Sequence, residues 1–339
     1  MRMRPLGRTG IEVSELSLGG LFVSSHGGDF AQGRAAILRA FELGVNYVDT
    51  APTYLDSEDV LGKVLPEVTQ PFYLSSKVGG RPQPFEPQNP DHLRQSVEES
   101  LRLVKRDHID LLMVHEPERP GFYDWWTDRD SYTGPVLDVL DELKEQGIIK
   151  FTGLGGTTAY AMAPIMATGR FDVVLTAFNY NLLWREAEHA ILPMAKKLGM
   201  GIVIGSPLQQ GVLSARHDEE VQNGPAWMSP PRRAQLLALY AFLDEIDMSL
   251  PEISLRFVLS NPDISCTLMG ARSEEEVELN IAAADRGPLA PEILTRLDEI
   301  AGMGGPPLPS DGRAGLPTAG ARLWGSGAGA LETDRLEPG

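Results

Sequence analysis

The chain has a single cysteine, Cys266, in 339 residues. One thiol excludes an intramolecular disulfide and any thiolate metal cluster, and it reads as an inert buried side chain. Positive charge is also scarce. With 30 Lys and Arg against 47 Asp and Glu, the formal net charge is −17. A field of that sign repels phosphate backbones and anionic bilayers, so neither nucleic acid nor a membrane surface is an expected partner. No run approaches the roughly 18 apolar residues that span a bilayer, and the N-terminal "MRMRPLGRTGIEVSELSLGG" contains no continuous apolar core of a secretory leader. The expected location is therefore cytoplasmic. The scattered histidines, among them His108, His189 and His217, lack metal-ligand spacing, and no metal is expected.

An ordinary globular composition remains, 42% hydrophobic and 23% charged, enough to bury a large core. A hairpin is expected from about Met3–Leu6 with Glu12–Val13, turning at "GRTG". Short apolar runs follow: Leu16–Leu18, "NYV", "FYLSS", "IDLLMV", "IIKFTGL", "DVVLTA", "GIVIG" and "SCTLM". Three- and four-residue apolar spacing predicts helices near Gln32–Leu43, Ser57–Leu65, Asp91–Val104, Gly134–Gln146, Ala159–Thr168, Arg185–Lys197, Arg232–Asp247 and Glu274–Ala284, with Ile253–Leu259 and Pro291–Ala301 as decorations. Eight strands alternating with eight helices predict an α/β (β/α)8 TIM barrel over 1–301. The missing G-x-G-x-x-G turn after the first strand argues against an open dinucleotide-binding sheet. Residues 302–339 hold 10 glycines and 5 prolines and read as a Gly/Pro-rich C-terminal tail.

In such a barrel the carboxyl ends of the strands carry the site. Asp49 and Tyr54, Lys77 and His115 stand at or past the ends of three successive strands. Each alone has a dull explanation; gathered in one quadrant of a rim they make a proton-transfer set. A phenol of ordinary pKa near 10 donates better when that value falls, which a nearby ammonium promotes, and a carboxylate keeps the ammonium charged.

The phrases "GVNYVDTAPTY" with "SEDVLG", "YLSSKVG", "HIDLLMVHEPE", "NYNLLWREAE", "GIVIGSPLQQGVL" and "TLMGARSEEEVELN" occur in the order found in aldo-keto reductases, and the chain resembles that family over roughly 3–301. The resemblance implies that Asp49, Tyr54, Lys77 and His115 form the catalytic tetrad, and that NAD or NADP is the cofactor. It places the phosphates near Ser206, Leu208, Gln210 and Gly270, with Asn280 towards the adenine. The chain departs from the family where a lysine and an arginine commonly hold the 2′-phosphate, with Gly270 and Glu276 in their places and Arg272 as the remaining cation. Glu276 also completes an S-x-x-E capping pattern with Ser273. At the nicotinamide, Gly155, Gly156, Ala177 and Gly205 replace the usual larger residues, leaving Thr157 and Asn179 as contacts. Glycines there give a looser resemblance to the aldose 1-dehydrogenase branch, which would make a lactone.

The loop "EPERPGFYDWWTDRDSYTG" after His115 offers Tyr123, Trp125 and Trp126 to a sugar or polyol ring. Packing the loop onto the barrel is the competing use, and Trp125 and Trp126 cannot both point inward along an extended chain. The expected substrate is a small carbonyl compound or sugar. Assembly into a homo-oligomer stays open, as does a non-catalytic, nucleotide-binding regulatory subunit.

Overall fold

The structure, a computed structural model, describes residues 1–226 and 228–304. Strands β1 (Met3–Pro5) and β2 (Glu12–Ser14) pair antiparallel as the expected hairpin. Eight parallel strands follow: β3 (Leu16–Gly19), β4 (Tyr47–Asp49), β5 (Tyr73–Val78), β6 (Ile109–His115), β7 (Ile149–Gly156), β8 (Val173–Ala177), β9 (Gly201–Gly205) and β10 (Cys266–Met269). They close in chain order, with β10 pairing back onto β3. Outside lie α1 (Phe30–Glu42), α2 (Ser57–Val64), α3 (Pro90–Val104), α4 (Pro135–Glu145), α5 (Ala159–Met166), α6 (Glu186–His189), α7 (Ile191–Leu198), α8 (Asp218–Asn223), α9 (Pro230–Glu245), α10 (Leu250–Leu259), α11 (Glu274–Asp285) and α12 (Pro291–Gly302). Residues 305–339, most of the expected tail, lie outside the described residues.

Local chemistry sets several boundaries. Asp29 closes a full capping box with Gln32 at the start of α1, and Ser229 and Ser249 cap α9 and α10 ahead of prolines in the first turn. The single helix expected at Arg185–Lys197 is broken at Ala190 into α6 and α7. Pro193 explains the break, because its ring collides with the carbonyl four residues back, that of His189. The roles of two later helices are exchanged. α10, expected as a decoration, packs against β10 and α11 and buries Leu250, Ile253, Leu255, Phe257, Val258 and Leu259; α9 packs instead on α8 and α12. Helical periodicity reports an apolar face but not which neighbour covers it.

The barrel lumen is filled by alternate residues of its strands, Tyr47, Leu111, Met113, Val173, Leu175, Val203, Cys266 and Leu268. The hairpin contributes Leu6 and Val13 to the same cluster and so plugs the amino-terminal end. Arg4 ties the plug down, donating to the carbonyls of Leu259, Asn261 and Ile264 and to the buried Glu15. Burial pushes the Cys266 thiol up to about 12, so it stays protonated at neutral pH, as an inert thiol should.

Candidate active site

Strand alternation brings the quadrant together. On β4, β5 and β6 every second side chain enters the lumen, and Asp49, Lys77 and His115 are the last inward residues before the mouth. The register pairs Asp49 with Ser75, two residues below Lys77, so the lysine folds back to reach the carboxylate. Lys77 Nζ donates to Asp49 Oδ2 at 2.7 Å and to the Thr50 carbonyl at 2.8 Å. The other carboxylate oxygen, Oδ1, accepts from Ser75 Oγ at 2.7 Å, which in turn accepts from the Tyr47 hydroxyl at 2.8 Å. Asp49 and Lys77 are both about 1% exposed, so the pair survives only through these bonds.

Tyr54 lies on the turn that follows β4, with Nζ of Lys77 4.6 Å from its ring centroid. The His115 ring meets it edge-on, 6.0 Å between centroids. Burial works against the Lys77 ammonium, but Asp49 and Tyr54 outweigh it and hold its pKa above the ordinary value. Burial, with Lys77 and Arg119 nearby, drives His115 well below its ordinary value, so the imidazole is neutral at physiological pH. Thr53 Oγ1 lies 3.5 Å from Nδ1 of the ring. Contrary to the sequence expectation, the Tyr54 phenol stands above its ordinary value, because burial outweighs the pull of Lys77.

Two carboxyls that the sequence reading left unassigned adjoin this set. Glu118 Oε1 accepts from the amides of Thr157 and Thr158 at 2.6 and 2.8 Å, in place of a side-chain cap on α5. Its Oε2 is buried without a partner and lies 2.4 Å from where a Cβ on Gly156 would stand, so a larger residue there would have to displace the Glu118 carboxyl. Glu116 Oε2 accepts from Thr157 Oγ1 at 2.9 Å. Burial, reinforced by Glu116, pushes Glu118 up from 4.5 to about 7. A carboxyl raised on folding favours the protonated native state, so its destabilising effect begins as pH rises past 4.5 and is complete above about 7. Glu118→Gln is expected to be more stable than wild type by about 1–3 kcal/mol near pH 8, with the gap closing below pH 4.5, as read from urea unfolding across pH. The signal in sequence was two acidic residues directly after the last inward residue of β6.

The loop aromatics divide. Trp125 is 0% and Trp126 6% exposed, and their indole N–H groups donate to the carbonyls of His115 and Pro117. Both indoles are placed in the packing of the loop rather than at the mouth. Tyr123 is half-buried, with its hydroxyl 3.6 Å from the Cβ position of Gly80, a position that also abuts Thr53 and Pro52 of the turn carrying Tyr54.

The opposite half of the rim is nearly bare. Gly155, Ala177 and Gly205 are the last inward residues of β7, β8 and β9. A side chain on Gly155 would press on Lys77 Cε at 3.3 Å, and one on Gly205 would press on Ala177 at 3.2 Å. Asn179 Nδ2 is engaged by Thr157 O, Thr176 Oγ1 and Ala177 O, bracing β7 to β8. Beyond β9, Ser206, Gln209 and Gln210 have φ of 51°, 49° and 51°, with Gly211 at 96°, and the turn closes on itself: the amides of Gln209, Gly211 and Leu213 donate to the carbonyls of Ser206 and Leu208. Gly270 is covered by the Phe22 ring, 2.6 Å from its Cβ position. Ser273 caps α11 through the Glu276 amide, but Glu276 does not return the bond; its carboxylate holds the Arg272 amide and guanidinium. Asn280 is half-buried on α11.

Among the described residues no group of His, Cys, Asp or Glu is arranged to hold a metal, and no helix is long and apolar enough to cross a membrane. Fold and rim define a (β/α)8 barrel whose mouth is built for acid–base work beside an open shelf. The chain belongs to the aldo/keto reductase family, whose model matches residues 15–301, and is an oxidoreductase. It is 28% identical to an L-galactose dehydrogenase of Arabidopsis thaliana, across 84% of this chain and 88% of that one. Identity to an NADH-specific methylglyoxal reductase of Escherichia coli is 27%, across 84% and 93%. An aldo-keto reductase of Bacillus halodurans, solved in its holo form, superposes with a TM-score of 0.73 at 26% identity, covering 89% of this chain and 96% of that one.

Proposed function

We propose that the chain catalyses reversible hydride transfer between a nicotinamide nucleotide and the carbonyl/alcohol pair of a small polyol-like molecule, with Tyr54 as the proton donor in reduction. The observation that carries this reading is the Lys77 ammonium held between Asp49 and the Tyr54 ring. When bound, the nucleotide supplies or accepts the hydride. The residues present fit its ring, which has room on the shelf of Gly155, Ala177 and Gly205, and the 206–211 turn stands just past β9 beside that shelf. Tyr54, protonated at neutral pH, delivers a proton to the oxygen as negative charge develops there. Lys77 stabilises the phenolate left behind, and Asp49 keeps Lys77 charged and aimed. Neutral His115 donates its ring N–H to the same oxygen and orients the carbonyl. In oxidation the phenolate takes the proton back. The test is nicotinamide absorbance across aldehydes, ketones and sugars with both cofactors; no change with any of them sinks the reading. Product analysis separates an alcohol oxidation from lactone formation, the outcome that the L-galactose dehydrogenase relative makes worth examining.

NAD is the preferred nucleotide in this reading. Glu276 neutralises Arg272, and Phe22 covers Gly270, so the place expected for a 2′-phosphate offers a carboxylate and an aromatic face, whereas a free 2′-hydroxyl can donate to Glu276. The NADH-specific relative supports the same choice. Fluorescence titration is expected to give NADH a dissociation constant at least about tenfold below that of NADPH. A preference for NADPH refutes the assignment to Glu276.

A further inference from the structure

Glu116 follows His115 directly, and consecutive Cα atoms are only about 3.8 Å apart, so its side chain starts from the edge of the reacting centre. Its backbone is in the left-handed region, φ 51°, which is uncommon outside glycine and turns the chain sharply at the end of β6. The side chain is 13% exposed; Oε2 is held by Thr157 Oγ1 at 2.9 Å and by Arg119 at 3.4 Å. No described residue donates to Oε1. Thr157, to which Glu116 is bonded, is itself fixed through its amide by Glu118, so the open oxygen stands on a rigid mount.

We propose that Glu116 is the specificity-determining residue of this site, its Oε1 accepting the hydroxyl on the carbon next to the one that exchanges hydride, so that neutral polyhydroxylated carbonyl compounds are chosen over simple aldehydes. An ionised carboxylate offers acceptors only, so it recognises O–H donors and repels carboxylate or phosphate on a substrate. Pairing with a charged acceptor is a strong contact, and an analogue without the hydroxyl leaves the acceptor unmatched. The contact is to a group that does not react, so it acts on substrate and transition state alike and appears chiefly in KM. The proposal deepens the function proposed above and rests on it.

Glyceraldehyde and propanal share a three-carbon chain and differ in their hydroxyls. Wild type is expected to favour glyceraldehyde in kcat/KM, and Glu116→Ala to lower the glyceraldehyde-to-propanal ratio by about 10–100-fold, chiefly through KM for glyceraldehyde. Glu116→Gln keeps an acceptor of the same shape and is expected to retain part of the preference, which a purely structural role would not predict. It also keeps the test alive if the alanine variant does not fold. An active wild type whose substrate ratio is the same in both variants overturns the proposal alone. A wild type idle on both aldehydes, with either nucleotide, overturns the functional reading and the proposal together.

Discussion

Tyr54→Phe removes one oxygen atom and is expected to lower turnover by about 10²–10⁴-fold, the range that general acid–base catalysis contributes. The ring remains, with its contacts to Lys77 and His115, so the fold should be intact. Nucleotide binding should be unchanged, because the shelf and the 206–211 turn lie across the rim. Turnover, thermal unfolding and nucleotide titration on the same preparations separate chemistry from structure. A wild type as idle as the variant, with both binding nucleotide, would mark a nucleotide-binding regulatory subunit instead. The pH dependence has a defined sign. The phenol is held above its ordinary value of 10, so reduction keeps its proton donor through neutral pH, whereas oxidation, which needs the phenolate, gains as pH rises.

Lys77→Met has the second large effect, and it falls on stability as well as turnover. Methionine is close in length, but it leaves Asp49 ionised in a site about 1% exposed with no cation. Stranding one member of a buried pair typically costs about 3–5 kcal/mol. Combining Lys77→Met with Asp49→Asn removes both charges and should recover most of that loss while turnover stays low. If the double variant regained activity, Lys77 would be a structural cation and the assignment of its role to Tyr54 would fail. Urea unfolding midpoints and nicotinamide-linked turnover of the single and double variants decide it.

The barrel was legible because period-two and 3.6-residue patterns alternate along the chain, and a parallel sheet with helices between its strands has few ways to close. Asp49, Lys77 and His115 were legible as ends of apolar runs. What escaped was set by neighbours in space. Pro193 could be read as a helix breaker, yet the apolar spacing of 185–197 masked it. α10 is the more apolar of the two helices, but apolar spacing alone does not say that it, and not α9, lies against β10. The Tyr54 phenol was expected to fall because Lys77 was visible in the sequence and the burial around the ring was not. Glu116 and Glu118 were visible too, but their convergence on Thr157 depends on β6 lying beside β7, a pairing of residues about forty positions apart. Trp125 and Trp126 looked like ring-stacking partners until their N–H groups were placed on the carbonyls of His115 and Pro117.

Arg4 joins the fourth residue of the chain to three carbonyls 255, 257 and 260 residues downstream. Those carbonyls stand just before β10, and Glu15 stands just before β3, so one guanidinium holds both the plug and the seam that closes the barrel, and replacing Arg4 is expected to loosen the two together.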